Sequence, residues 1–321
     1  MKKRMFAVFS AFIMKITVAA VLLAMLAGTA VTAAATSAGS ASPGEEFVPE
    51  KNITAAVRQA ASQTTRSGKT IFVEVPVLMF HHIDPGANSP LTPKSFRKYM
   101  VDLQNAGYET VFLDDLIAFV DGKASLPEKP VVITFDDGYE SNYQYAWPIL
   151  KELGMKADIS LIGYTVGCRV YPGTGKTITP HMTWAQASEM YRSGEARFHS
   201  HTYRMHENKY IAPTTRSGVL KNPTEPYADY VRMFRADTTE ANRLIADHLY
   251  YNNRVYTYPY GLNDKLTEKI LADLGFRVTI TIDPGVNIIE AGNDDSLKLL
   301  KRISCDKNGL DVVQLIREQS L

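Results

Sequence analysis

Net charge is nearly absent from this chain: 35 basic and 34 acidic residues leave +1 at pH 7. Without an excess of either sign there is no electrostatic basis for nucleic acid or an anionic membrane surface as a partner, and an uncharged substrate fits. Cysteine is scarce too, with Cys168 and Cys305 alone. That excludes a small domain stapled by several disulfides, while one bridge between the two or a pair of free thiols both remain open. No repeat of solenoid period occurs. A phosphate-binding loop is also missing. The stretch "PGTGKT" at 172–177 looks like one, but the pattern needs glycine five residues before Gly175, where Val170 stands. No apolar strand leads directly into it, and it reads as a flexible loop.

What is present is an ordinary globular composition. The chain has 321 residues, 45% hydrophobic and 21% charged, enough for one large domain or two small ones with a sizeable core. The N-terminus departs from this. "MKKRMFAVFSAFIMK" is basic, "ITVAAVLLAMLAG" is apolar, and "TAVTAAATSAGSAS" is a tract of small residues. This order predicts a signal peptide over 1–35, or a retained membrane anchor, since about 20 apolar residues span a bilayer. Either reading exports the rest of the chain to the cell surface or medium. Residues 36–70 read as a linker with a short helix near Ile53 to Ala61, and 71–321 as the folded domain.

Within that domain one grammar recurs. "FRKYMVDLQNAG" sets Phe96, Met100 and Leu103 on one helical face, and "YETVFL" follows its glycine. "WPILKELG" leads into "MKADISLIG", "TWAQASEMYRSG" into "EARFHS", and "DKLTEKILADLG" into "FRVTITI". Thr183 and Gln186 form a capping-box pair. Glycine after each helix accepts the left-handed conformation that ends it. Helices alternating with short apolar strands predict a largely parallel sheet wrapped by helices. "PVVITF" and "FVEVPVLMF" have the near-continuous apolar character of strands buried on both faces. About seven strand candidates suffice for a barrel or a doubly wound sheet, folds that collect functional groups at the carboxyl ends of their strands.

Chemistry-bearing residues follow that rule. His81 and His82 come after "VPVLMF", Asp136 and Asp137 after "VVITF", His199, His201 and His206 lie in "HSHTYRMH" after "EARF", and Pro259, Tyr260 and Gly261 follow "RVYTY". Adjacent carboxylates repel each other unless something neutralises them; alone, "DDG" would serve equally as a surface turn or a helix N-cap. One carboxylate with two imidazoles is a common shell for a hydrolytic divalent ion such as Zn2+, and other first-row ions accept the same donors. His201 and His206, five apart, lie about 140° apart on a helix and so must converge from a strand end and the turn after it. His199 reads as packed or as a support to the site, and His181 and His248 as solvated.

"PVLMFHHI", "TFDDG", "SHTYRMH" and "YPYG", in this order, resemble the polysaccharide deacetylases of the NodB-homology group, carbohydrate esterase family 4, from about Val75 to Ile303. The resemblance implies an α/β fold: a distorted (β/α) barrel of about seven parallel strands, as a single catalytic domain. It implies Asp136 as general base, Asp137, His201 and His206 as metal ligands, and the backbone N–H of Tyr260 as an oxyanion donor. The spacing between the two histidines is longer than the family's more usual form and is similar to that of deacetylases of biofilm poly-N-acetylglucosamine. Two family residues are missing. Thr257 and Tyr258 stand where an arginine is usual, so Arg302 in "LKRI" is the candidate to hold Asp136. The late histidine acid is absent from "LLKRISCD", so His81 takes that role as in the exopolysaccharide group, with His82 as its rival and Asp283 as the residue that orients it. The implied activity is metal-dependent removal of acetyl groups from an exported glycan, poly-N-acetylglucosamine-like or peptidoglycan, with xylan and chitin also open. The competing expectation, prompted by the two missing residues, is a glycan-binding protein with an impaired site.

Overall fold

The computed structural model describes residues 70–86, 89–207 and 216–320. The expected signal or anchor over 1–35, and the expected linker up to residue 69 with its short helix, lie outside the described residues. In chain order the elements are β1 (Phe72–Val75), β2 (Val77–Phe80), α1 (Pro93–Asn105), β3 (Glu109–Thr110), α2 (Leu113–Val120), β4 (Pro130–Phe135), α3 (Trp147–Leu153) and β5 (Ala157–Leu161). There follow α4 (Trp184–Ser193), β6 (Ala196–Ser200), α5 (Tyr227–Leu249), β7 (Val255–Thr257), α6 (Lys265–Asp273), β8 (Val278–Ile280), β9 (Asn287–Glu290), β10 (Ile303–Ser304) and α7 (Val312–Gln319).

The main sheet runs β10-β2-β4-β5-β6-β7-β8, every pairing parallel, with β3 added beside β4. A parallel bridge between Ile280 and Leu300 brings the β8 edge to the segment that leads into β10, so the sheet curls towards closure. This is the expected seven-stranded barrel, and the doubly wound alternative is set aside. β1 stands apart, paired antiparallel with β9.

Helix ends follow local chemistry. Thr183 caps α4 through Gln186 N–H, Asp264 caps α6 through Thr267 N–H, and Thr92 caps α1 with Pro93 at its first position. In α1 the buried face is Phe96, Tyr99, Met100 and Leu103, the expected stripe with one residue added.

Two faces of the sheet have different fates because side chains alternate along a strand. Ile133 and Phe135 of β4, Ile159 and Leu161 of β5 and Phe198 of β6 face the helices and are at most 1% exposed. Each contributes about 1.5–3 kcal/mol by leaving water. Their neighbours in sequence, Thr134, Asp158, Ser160 and His199, point the other way and are equally buried. The inner face of the curl is therefore polar in its upper part, above an apolar base that includes Val132 and Val255, and because all strands run parallel its residues climb towards one rim. The residues just beyond that rim are His81, Asp136 and His201. Both thiols are free, Cys305 buried and Cys168 half-buried.

Candidate active site

Asp136 is the next inward position after Thr134 at the end of β4. It is 2% exposed, and Arg302, itself 1% exposed, grips both of its oxygens at 2.7 Å. The guanidinium is fixed in turn by the Thr281 carbonyl at 2.7 Å and the Thr134 hydroxyl at 3.3 Å. Burial works against the ionised Asp136, but the Arg302 charge outweighs it and holds the carboxyl well below the usual range. Arg302 thus occupies the position expected of it. Thr257 and Tyr258 face other tasks: the Thr257 carbonyl accepts from His201, and Tyr258 donates to Glu268 at 2.7 Å.

Asp137 turns away from its neighbour because the backbone is left-handed there, at φ 68. Gly138 follows at φ 75, and a Cβ on it would meet Leu161 Cδ2 at 2.5 Å. The "DDG" sequence is therefore a sharp corner that sends two adjacent carboxylates to different partners. Asp137 Oδ1 is buried and has no hydrogen-bond donor. Facing it are His201 Nε2 at 3.6 Å and His206 Nε2 at 3.5 Å. Burial pushes the His201 imidazole down to about 4, so it is neutral at ordinary pH. Its Nδ1 lies 2.8 Å from the Thr257 carbonyl and must carry the proton, which leaves Nε2 as a lone pair.

Three acceptors therefore converge on a point with no donor, all within 4.8 Å of one another. Leaving a buried carboxylate oxygen without a partner costs more than the roughly 1–3 kcal/mol typical of a neutral group. A divalent cation is the species that would satisfy all three, and one carboxylate with two imidazoles suits Zn2+ or a similar ion. These residues fit the group the sequence implied.

The histidines arrive from one strand end and the turn behind it. Thr202, at φ 73, redirects the chain after His201. Buried Asp237 of α5 then pins the turn by accepting the Thr202 hydroxyl, Tyr203 N–H at 3.0 Å and Arg204 N–H at 2.7 Å. The ring of Tyr260 packs 4.5 Å from His206, and its hydroxyl donates to the His206 carbonyl at 3.0 Å. Tyr260 is left-handed at φ 58, in a corner that Gly261 makes feasible: a Cβ there would meet Ile282 at 2.5 Å.

His81 reaches the same rim from β2. Its Nε2 lies 3.8 Å from Asp136, and its Nδ1 lies 2.5 Å from Asp306, which also accepts the His81 N–H at 2.8 Å. Burial alone would lower its pKa, but the Asp306 hydrogen bond and the surrounding carboxylates raise it to about 9. His82 turns elsewhere, to the Ser141 hydroxyl at 2.8 Å and the Tyr139 ring. The carboxylate against His81 is thus Asp306, whereas Asp283 lies exposed on the loop after β8 and offers its carbonyl to Arg302 N–H. Asp306 was hidden because β10 is two residues long and leaves no hydrophobic pattern to flag the strand end it follows. His248 is exposed and stacks on Trp184, as expected of a solvated residue, but His181 is 8% exposed and lines the cavity beside Asp137 and His206. Its loop folds back onto the carboxylate corner, a contact that local sequence does not announce. His199, packed as one reading had it, is 0% exposed.

Residues 123–279 match the family model for polysaccharide deacetylase. A Bacillus subtilis (strain 168) protein named "Putative polysaccharide deacetylase YxkH" is 29% identical over 230 residues, 72% of this chain and 71% of that protein. The poly-beta-1,6-N-acetyl-D-glucosamine N-deacetylase of Escherichia coli (strain K12) is 27% identical over 209 residues, 60% of this chain, and the match spans only 31% of that longer protein. Among solved structures, IcaB from Ammonifex degensii has a TM-score of 0.60 and 26% identity, covering 72% of this chain and 91% of that one. The curled parallel sheet, the match over residues 123–279 and relatives aligned with up to 72% of the chain identify a polysaccharide deacetylase domain of the NodB type in it.

Proposed function

We propose that the protein is a metal-dependent polysaccharide de-N-acetylase that acts outside the cell. Its substrate class is an N-acetylglucosamine polymer, poly-N-acetylglucosamine-like exopolysaccharide or peptidoglycan, and it releases acetate. The observation that carries this reading is the buried, donorless Asp137 Oδ1 facing two imidazole nitrogens, next to a carboxylate held by arginine. The name of the Escherichia coli relative, and the longer histidine spacing, favour the exopolysaccharide. The export reading rests on the order of basic, apolar and small residues at the N-terminus.

In this reading Asp137, His201 and His206 hold a divalent ion, Zn2+ by its donor set. The ion supplies Lewis acidity, polarising the acetamide carbonyl and acidifying a water beside it. Asp136 accepts the proton of the attacking water. Its depressed pKa keeps it ionised throughout the working range, and Arg302 fixes both of its oxygens so that it cannot rotate away from the water. The role assigned to Tyr260, which sits in a left-handed corner, is to donate its backbone N–H to the developing oxyanion. His81, protonated and steered by Asp306, gives its Nε2 proton to the departing sugar amine. Bond cleavage then leaves acetate and a free amine. Arg302 and the His81–Asp306 pair supply what the missing family residues would have supplied, which weighs against an impaired glycan binder.

The test is acetate release from purified protein on pentamers of β-1,6-linked N-acetylglucosamine. Activity with Zn2+, lost on chelation and restored by adding the ion back, supports the reading. Bound zinc with no acetate released from this or other acetylated glycans would leave a binding protein instead.

A further inference from the structure

A cavity of 390 Å3 opens beside the three converging acceptors; its wall includes Asp137, His206, Tyr139, Tyr171, Tyr260 and His181. That volume is in the range of sites that enclose a small ligand. Much of the wall comes from the 162–182 segment, which contains the "PGTGKT" stretch. The segment is sewn to the carboxylate corner on both sides of His181. Glu140 N–H donates to the Pro180 carbonyl at 2.8 Å and Met182 N–H to the Gly138 carbonyl at 2.9 Å. On its other flank, His181 N–H donates to Cys168 at 3.0 Å and Gly167 N–H to Met182 at 2.8 Å. His181 therefore has a fixed place relative to Asp137.

Its ring is another matter. His181 is 8% exposed, its Nδ1 is buried without a hydrogen-bond partner, and its ring is tilted against Tyr139 at 5.0 Å and meets the Thr179 backbone. An imidazole nitrogen sealed this far from water without a partner is costly, and such atoms persist mainly where a ligand or water completes them. A packing role would be served better by an apolar ring. Buried His199, by contrast, has both nitrogens satisfied by protein.

We propose that His181 is a specificity residue, the side chain through which this wall recognises an acetylated amino sugar by hydrogen bonding to a ring hydroxyl next to the acetamide. This rests on the deacetylase reading above. A sugar hydroxyl is both donor and acceptor and so suits an imidazole in either tautomer. A cation is the wrong ligand here, because the acceptors that would bind one face each other at Asp137, not at His181.

The test compares wild type with His181→Phe and His181→Gln, all zinc-loaded, on N-acetylglucosamine pentamers with β-1,6 and β-1,4 links and on 4-nitrophenyl acetate, which has no sugar. The quantity read is the ratio of kcat/KM on pentamer to kcat/KM on the ester. His181→Phe is expected to lower that ratio about tenfold, mainly through KM, with His181→Gln recovering part of it, because removing one polar partner leaves a sugar hydroxyl unpaired. An unchanged ratio in both variants, or a parallel fall on both substrates with loss of zinc, overturns the proposal while leaving the deacetylase reading intact. If wild type binds a pentamer by calorimetry without hydrolysing it, the deacetylase reading fails. The Kd then decides His181: tenfold weaker binding by His181→Phe supports it and equal binding overturns it. If wild type neither binds nor hydrolyses either pentamer, both readings fall.

Discussion

Two of the histidine–carboxylate pairs among the described residues, His199–Asp158 and His81–Asp306, lie one layer apart and behave in opposite ways. In the lower layer of the curl, His199 Nε2 lies 2.6 Å from Asp158 and its Nδ1 2.9 Å from Asn253; both members are essentially sealed. Asp158 also accepts Leu113 N–H at the start of α2. Burial pushes the Asp158 carboxyl up, to about 6. At the rim, His81 has the same kind of contact with Asp306, but its other nitrogen faces Asp136 across 3.8 Å and a third of its side chain is exposed. Pairing alone does not mark a functional histidine. What separates the two is completeness: the lower pair has every polar atom committed to the protein, and the rim keeps one side of each group open.

Four substitutions sharpen or break that contrast, in order of expected effect. Asp136→Asn removes the proposed base and should lower kcat/KM about 1,000-fold, within the usual range for a general base, while zinc content by metal analysis stays near one ion per chain. Retained activity would place the base elsewhere. Arg302→Met leaves the buried Asp136 charge uncompensated and should cost about 3–5 kcal/mol in urea unfolding, whereas the double change Asp136→Leu with Arg302→Met should recover much of it. A loss equal in the single and double variants would show that Arg302 acts by packing rather than charge.

Asp158→Asn is the counterpart in the lower layer. It should cost about 1–3 kcal/mol of stability and leave kcat/KM of the folded protein within about twofold. A large kinetic effect would mean the two layers are coupled. The smallest effect is expected for Asp306→Asn, read by pH. The carboxylates raise the His81 pKa to about 9 in the metal-free protein. A raised pKa stabilises the fold fully below the unfolded value near 6.5, and that contribution is lost as pH rises through about 9. Metal-free wild type should therefore lose thermal stability between pH 6.5 and 9, and Asp306→Asn should lose less over that window. In the loaded enzyme the alkaline limb of kcat should move to lower pH in the variant. Superimposable profiles would remove Asp306 as the residue that positions the acid.

Much of this was legible from residues alone, and the reason is visible in particular elements. "PVVITF" has every side chain buried, on one face by helices and on the other by the curl, so its apolar run was a direct readout of its environment. Asp136, Asp137, His81 and His201 were flagged because each follows such a run. Arg302 was found only as a substitute for a missing arginine. His81 and His82 could not be separated in sequence, since adjacent residues at a strand end differ only in which way they point, and Ser141 and Asp306 decide that. Asp306, Asp237 and His181 carry no local pattern. Asp237 lies within a 23-residue helix whose sequence reads as amphipathic, and its carboxylate becomes informative only once the Thr202 turn is packed against it.

The sequence by itself determined the alternation of strands and helices, the parallel sheet and the rim on which polar residues gather. These follow from hydrophobic period, capping residues and glycine positions, all properties of neighbours along the chain. Only the tertiary structure decided which carboxylate holds which histidine, that Asp137 Oδ1 is left facing two imidazole nitrogens, and that His181 is sealed into the cavity wall. Those outcomes depend on the left-handed corners at Asp137, Thr202 and Tyr260 and on the curl that brings residue 302 beside residue 136. Distance across a folded sheet is set by register and curvature, and no local window of sequence contains either.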